Sequence, residues 1–349
     1  MKFYKILIFS FLPVFFMACN GKHATKKNRL SINIEAPEKN IHLNDVIKVY
    51  IKNPKDLTIS GVSYKLDGNE VSITDNTLRL EDIKLGKHLL EASVKTEGEM
   101  ITVSKSFTVF NHTAPKVYTY KIINEYPHDI EAFTQGFEFY RDTLFEGTGR
   151  NGLSKLRKIN FKTGQPYKEI KLANAYFGEG ITILNDKVYQ LTWQGNTGFV
   201  YDVNTFEKLN TFKYDHSKEG WGLCNDGKKL FKSDGTERIW TLDPDTLVEE
   251  SYIEVYTNKT KLQKINELEY VNGKIYANTW QFEKEVGIII NPENGAVEGV
   301  IDFSGLKDKV KQHPALDVLN GIAYNKSRKT FFITGKNWDK TFEVELIAR

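Results

Sequence analysis

"GEGITILNDKVYQLTWQGNTGFVYDVNTFEK", Gly178 to Lys208, reads as three short β-strands separated by polar turns. Its runs are rich in β-branched and aromatic residues, and Asn, Asp and Gly bound them, which is the pattern of strand and turn. The unit recurs: "FTQGFEFYRDTLFEGTG" starts at Phe133, "GWGLCNDGKKLFKSDG" at Gly220, "NELEYVNGKIYANTW" at Asn266 and "LNGIAYNKSRKTFFITGK" at Leu319. Third strands follow in "LRKINFKTGQ", "RIWTLDPDTLV" and "GIIINPENGAV". The spacing, roughly 42 to 53 residues, is that of one four-stranded propeller blade. Five repeats therefore predict an all-β chain whose larger part, 116–349, is a five-bladed β-propeller. The last repeat ends after its third strand. "KVYTYKIINEYP", 116 to 127, is expected to supply the missing outer strand and so close the ring.

Upstream, residues 30 to 113 read as short alternating strands, with a hairpin signal at Asp67-Gly68. They predict a small immunoglobulin-like β-sandwich serving as spacer or docking module. "NHTAPK", 111 to 116, is the boundary. The start, 1–19, carries Lys2 and Lys5, then an apolar run from Ile6 to Ala18 broken by Pro13. That run is short for a bilayer span and reads as a secretory signal. It ends "FFMAC", which resembles a bacterial lipobox, so lipidation is expected at Cys19, with 20–29 as a tether. The expectation is an exported monomer, lipid-anchored to a bacterial membrane and facing the periplasm or the cell surface. With Cys19 acylated, Cys224 has no disulfide partner and reads as a small buried residue. The net charge is only +3, with no basic stripe, which excludes nucleic acid as a partner.

"GTGRNG", 147 to 152, satisfies G-x-G-x-x-G, but a strand rather than a helix follows, so it reads as a turn. The seven histidines are scattered without metal-ligand spacing, and no G-x-S-x-G elbow is present. No metal site is expected, no cofactor is required, and a structural ion in the central channel is left open.

In a propeller, the segments leading into each inner strand and leaving the second meet on one face. The former carry Phe133 and Gln135, Phe177 and Glu179, Trp221 and Asn266; the latter carry Trp193, Trp280 and Lys336. One carboxylate, two amides, a lysine and five aromatics are thus expected around one pocket. Glu179, between Gly178 and Gly180, reads as an acid left unsheltered. Trp240 and Trp338 fall outside the pattern and read as packing. The competing reading makes all the repeated tryptophans blade core, in a non-catalytic surface propeller that binds partners.

"FTQGFEF", "YFGEGIT", "QLTWQ", "GWGL", "INELEY", "NTWQ" and "ITGKNW", in this order, resemble glutaminyl-peptide cyclotransferases of the plant and bacterial type over about 118 to 345. The resemblance implies a five-bladed propeller that converts N-terminal glutamine of peptides and proteins to pyroglutamate, releasing ammonia without a metal. It implies Glu179 as catalytic acid/base. Phe133, Gln135, Phe177, Trp193, Trp221, Asn266, Trp280 and Lys336 are implied as substrate-binding residues.

Overall fold

The computed structural model describes residues 30–349. Cys19 and the segments read as signal and tether lie outside the described residues. The N-terminal part consists of two sheets. Ser31–Glu35, Val46–Lys52 and Thr77–Arg79 form one; the other runs in the order Ile41–His42, Met100–Phe110, Gly86–Thr96, Ile59–Leu66, Asn69–Val71. Burial alternates along Gly86–Thr96, and its inward residues Leu90, Ala92 and Val94 meet Ile32, Ile47 and Val49 of the first sheet in one core. Asp67 and Gly68 turn the chain with φ of +50° and +84°, as expected of a tight hairpin.

This part docks on the rest of the chain through its loops. The Leu85 N–H donates to the Asn294 carbonyl (2.8 Å), the Lys87 N–H to the Glu254 carboxylate (3.0 Å) and Lys84 Nζ to the Tyr252 carbonyl (2.8 Å). Tyr256 and Ala296 enter its core.

Four-stranded antiparallel units follow. Unit 1 is Thr134–Tyr140, Thr143–Thr148, Lys155–Ile159 and Pro166–Lys171; unit 2 is Gly178–Leu184, Lys187–Thr192, Gly198–Asp202 and Lys208–Phe212. Unit 3 is Leu223–Asn225, Leu230–Ser233, Arg238–Leu242 and Glu249–Glu254; unit 4 is Ile265–Val271, Lys274–Thr279, Val286–Ile290 and Val297–Asp302. Unit 5 takes Leu319–Asn325, Thr330–Gly335 and Lys340–Ala348 from the C-terminal end. Its fourth strand is Lys116–Pro127, paired antiparallel along Lys340–Ala348. The sequence did not suggest a second role for that strand: its first residues also pair in parallel with Gly299–Ile301, merging units 4 and 5 into one eight-stranded sheet.

Each unit is apolar on both faces and packs on its neighbours. Ile181 and Val188 of unit 2 meet Phe145 and Leu156 of unit 1, and Tyr189 and Leu191 meet Leu223 and Trp240 of unit 3. Ile253 of unit 3 meets Ile275 of unit 4, Ile301 of unit 4 meets Ile333 of unit 5, and Phe332 of unit 5 meets Phe137 of unit 1. The last contact brings the end of the chain back to its first unit, a propeller-like arrangement. Trp338 is fully buried in this packing, Trp240 nearly so, and Cys224 is buried beside Phe231.

The inner strands approach closely. A Cβ on Gly180 would lie 2.5 Å from the Trp221 carbonyl oxygen, and one on Gly222 2.0 Å from that of Asn266. Unit 4 alone places a side chain at this point of the repeat, Glu267. Its carboxylate accepts from the Phe137 N–H (3.1 Å) and the Ile322 N–H (2.9 Å), tying unit 4 to units 1 and 5. Glu267→Ala would strand two buried N–H groups, each costing about 1–3 kcal/mol. Urea unfolding should show a loss of several kcal/mol; a loss below about 1 kcal/mol would contradict this role.

Candidate active site

The inner strands open with a break in register. Between Thr134 and Gly136, Gly178 and Ile181, Ile265 and Leu268, and Leu319 and Ile322 the pairing shifts, a bulge that re-aims the extra residue. The residues at these breaks are Gln135, Glu179, Asn266 and Asn320. Phe133, Phe177 and Trp221 lie just before the inner strands of units 1 to 3; Trp193, Trp280 and Lys336 lie just after the second strands of units 2, 4 and 5.

Gln135, Glu179, Asn266 and Lys336, with the five aromatics Phe133, Phe177, Trp193, Trp221 and Trp280, line one cavity of about 300 Å³. Asp317, which the sequence reading passed over, completes the lining. Neighbouring rings meet edge to face: Phe133 on Phe177 (centroids 6.0 Å apart), Phe177 on Trp193 (5.6 Å) and Trp221 on Trp280 (6.0 Å). Such contacts stiffen the wall.

Glu179 is not unsheltered: only 4% of it is exposed. Its flanking glycines answer a different need. A Cβ on Gly178 would strike the Thr148 carbonyl, and one on Gly180 the Trp221 carbonyl. They let adjacent units close around the acid. Gln135 Nε2 donates to Glu179 Oε1 at 3.0 Å, and Asn320 Nδ2 donates to Gln135 Oε1 at 3.2 Å, a relay that fixes the carboxylate. Asn320 holds the repeat position occupied by Gln135, Glu179, Trp221 and Asn266, and that register is the signal by which the sequence could have revealed it.

Burial pushes the Glu179 carboxyl well above the usual carboxylate range, against the pull of Lys336 and with a further push from Glu219. Burial likewise lowers the Lys336 ammonium, while Glu179 and Asp317 hold it up. Lys336 Nζ lies 4.8 Å from the centre of the Phe133 ring. The Asn266 side-chain oxygen is buried without a hydrogen-bond partner. A polar group left so inside a cavity is a place for a ligand's N–H.

Two of the three indole N–H groups in the pocket are committed within the protein. Trp193 Nε1 and Trp221 Nε1 both donate to Glu219 Oε2, each at 2.8 Å. Only Trp280, among the described residues of the pocket, keeps its indole N–H without a protein partner. Glu219 is in turn held by its backbone: the buried Lys232 Nζ donates to the Glu219 carbonyl (2.8 Å) and pairs with Glu249 (3.1 Å). No sequence signal marked Glu219, because its importance lies in two indoles brought together from different units. Among the described residues no group of three or more His, Cys, Asp or Glu is arranged to hold a metal ion.

The pattern of the glutamine cyclotransferase family matches residues 94–346. A glutaminyl-peptide cyclotransferase of Arabidopsis thaliana is 42% identical over 230 residues, covering 65% of this chain and 71% of that protein. The crystal structure of Myxococcus xanthus glutaminyl cyclase overlays with a TM-score of 0.62 at 36% identity, over 67% of this chain and 99% of that one. Family pattern, sequence relative and fold agree across the units that build the cavity: the chain belongs to the glutamine cyclotransferase family.

Proposed function

We propose that this chain is a glutaminyl-peptide cyclotransferase that closes N-terminal glutamine into pyroglutamate and releases ammonia, with Glu179 as general acid/base and no metal. The observation that carries the reading is a single buried carboxylate, raised in pKa, inside an aromatic cavity assembled from every unit.

The reaction forms a bond from the substrate α-nitrogen to its own side-chain carbonyl carbon and breaks the bond from that carbon to the amide nitrogen. The nucleophile is already tethered, so holding the glutamine folded contributes much of the rate. Phe133, Phe177, Trp193, Trp221 and Trp280 shape the slot and keep water out. Asn266 Oδ1 accepts from a substrate N–H. Glu179 takes the proton from the attacking nitrogen and passes it to the departing ammonia. A carboxyl raised by burial is matched to an α-amine that titrates at about 7.7–8.0. Lys336 and the Trp280 N–H stand by for the oxyanion that develops on the carbonyl. Gln135 orients the acid, and Asp317 sustains the charge on Lys336.

Units 1 to 5 are the blades of a five-bladed propeller spanning 116–349, and 30–113 is an immunoglobulin-like module. The protein acts as a monomer, exported and held at a bacterial membrane through lipid on Cys19.

Glu179→Gln should lower ammonia release from a glutaminyl dipeptide by about 10²–10⁴-fold with the unfolding midpoint unchanged; full activity in that variant would overturn the assignment. Ammonia release by the wild type should be the same before and after exhaustive chelation, and a loss restored by added metal would end the metal-free reading. Glu219→Gln should raise KM by loosening both indoles. Because Glu219 pushes the Glu179 carboxyl upward, the acid limb of the kcat/KM profile should move to lower pH in that variant, a shift that steric loosening alone would not produce.

A further inference from the structure

The turn "GTGRNG", 147 to 152, takes no part in the chemistry above, yet it holds an unusual residue. Arg150 sits at φ +84°, where a long side chain persists only if its surroundings enforce it. Its carbonyl accepts from the N–H groups of Leu153 and Ser154 and from the Ser154 hydroxyl. Its guanidinium donates to Asn337 Oδ1 at 3.0 Å and lies 4.4 Å from the centre of the Phe133 ring. That is the ring Lys336 also faces.

Arg150 thus touches a wall residue of the aromatic pocket while itself lining a second cavity of about 610 Å³, with Ala132, Gly149, Leu153, Lys311 and Asn337. The two linings draw on neighbouring residues of the chain: Ala132 precedes Phe133, and Asn337 follows Lys336. Gly149 sits between them, for a Cβ there would fall 2.3 Å from the Phe177 ring and 3.1 Å from the Gln135 side chain.

Four cations face the cavity, and two are already satisfied. Arg157 pairs with Asp129 (2.6 Å) and Glu146 (2.5 Å), and Lys155 with Glu169 (2.9 Å). Arg150 and Lys311 have no carboxylate partner among the described residues. Against them stands the exposed Glu131, while Asp339 accepts from the Lys311 backbone N–H at 2.9 Å. His313 donates its Nε2 proton to the Asn337 carbonyl at 2.8 Å. Leu153, 61% exposed, offers apolar surface.

We infer that this second cavity is the subsite for the residues that follow the N-terminal glutamine, and that Arg150 and Lys311 select a carboxylate there. The preferred substrate is a peptide with Asp or Glu at its second or third position. The inference rests on the cyclotransferase reading. A guanidinium braced on a ring and anchored by one hydrogen bond keeps further N–H groups for a carboxylate. Being remote from the reacting atoms, the contact acts on how firmly the peptide is held.

The test is ammonia release by the full chain from Gln-Ala-Ala, Gln-Glu-Ala, Gln-Ala-Glu and Gln-Lys-Ala amides at low salt. The better acidic peptide should exceed the lysine peptide in kcat/KM by about fivefold or more. Lys311→Glu, a change on an exposed side chain, should bring that ratio to one or below, and Arg150→Ala should reduce it. Salt at about 0.5 M should compress the ratio in the wild type. A wild-type ratio near one, with the neutral peptide turned over normally, would overturn the subsite and leave the cyclotransferase standing. A ratio unmoved in both variants would overturn it too, and no turnover of any peptide would remove both readings.

Discussion

The ring can close only because its inner strands come nearer than a side chain allows. At one repeat position stand Gly136, Gly180, Gly222 and Gly321, and in unit 4 the position goes to Glu267. Gly136, Gly180 and Gly222 each let the next inner strand press close, while the two oxygens of Glu267 hold the backbones of the neighbouring unit and of the first. Burial pushes its carboxyl well above the ordinary range, as do the nearby Glu269 and Glu138, so its free energy comes from accepted backbone hydrogen bonds rather than from an ion pair. At the register breaks beside this position stand Gln135, Glu179, Asn266 and Asn320; the first three line the cavity and Asn320 braces Gln135.

On the proposed mechanism these surroundings suit a carboxylate to the chemistry. Glu179 is buried, so its carboxyl is raised; Gln135 holds it at 3.0 Å, and Lys336 pulls against the rise. Every unit contributes to the wall, and each of its rings leans on another. The indoles serve mostly as shaped surface, because two of the three donate their N–H groups to Glu219.

Periodicity made much of this legible. Repeats of glycine, apolar strand and polar turn marked the units and their order, and the residues flanking the first two strands of each repeat marked the cavity wall. What stayed hidden depends on contacts between units. Asn320 was within reach of the repeat register, but Asp317 and Glu219 sit in connecting segments where residue type carries little information. The glycines beside Glu179 invited a reading in terms of exposure, whereas the cause is a carbonyl from a neighbouring unit pressing on each, Thr148 on Gly178 and Trp221 on Gly180. The parallel pairing of Lys116–Tyr118 with Gly299–Ile301 could not be seen either, since it joins segments far apart in the chain.

One oxygen of Glu219 serves two indoles, and this has a mechanical consequence. Trp193 and Trp221 belong to different units, yet a shift of that one carboxylate would loosen both rings together. The rim on that side behaves as a pair of shutters on a single latch, whose post is the buried Lys232. Its aperture is therefore set by one carboxylate rather than by two independent side chains.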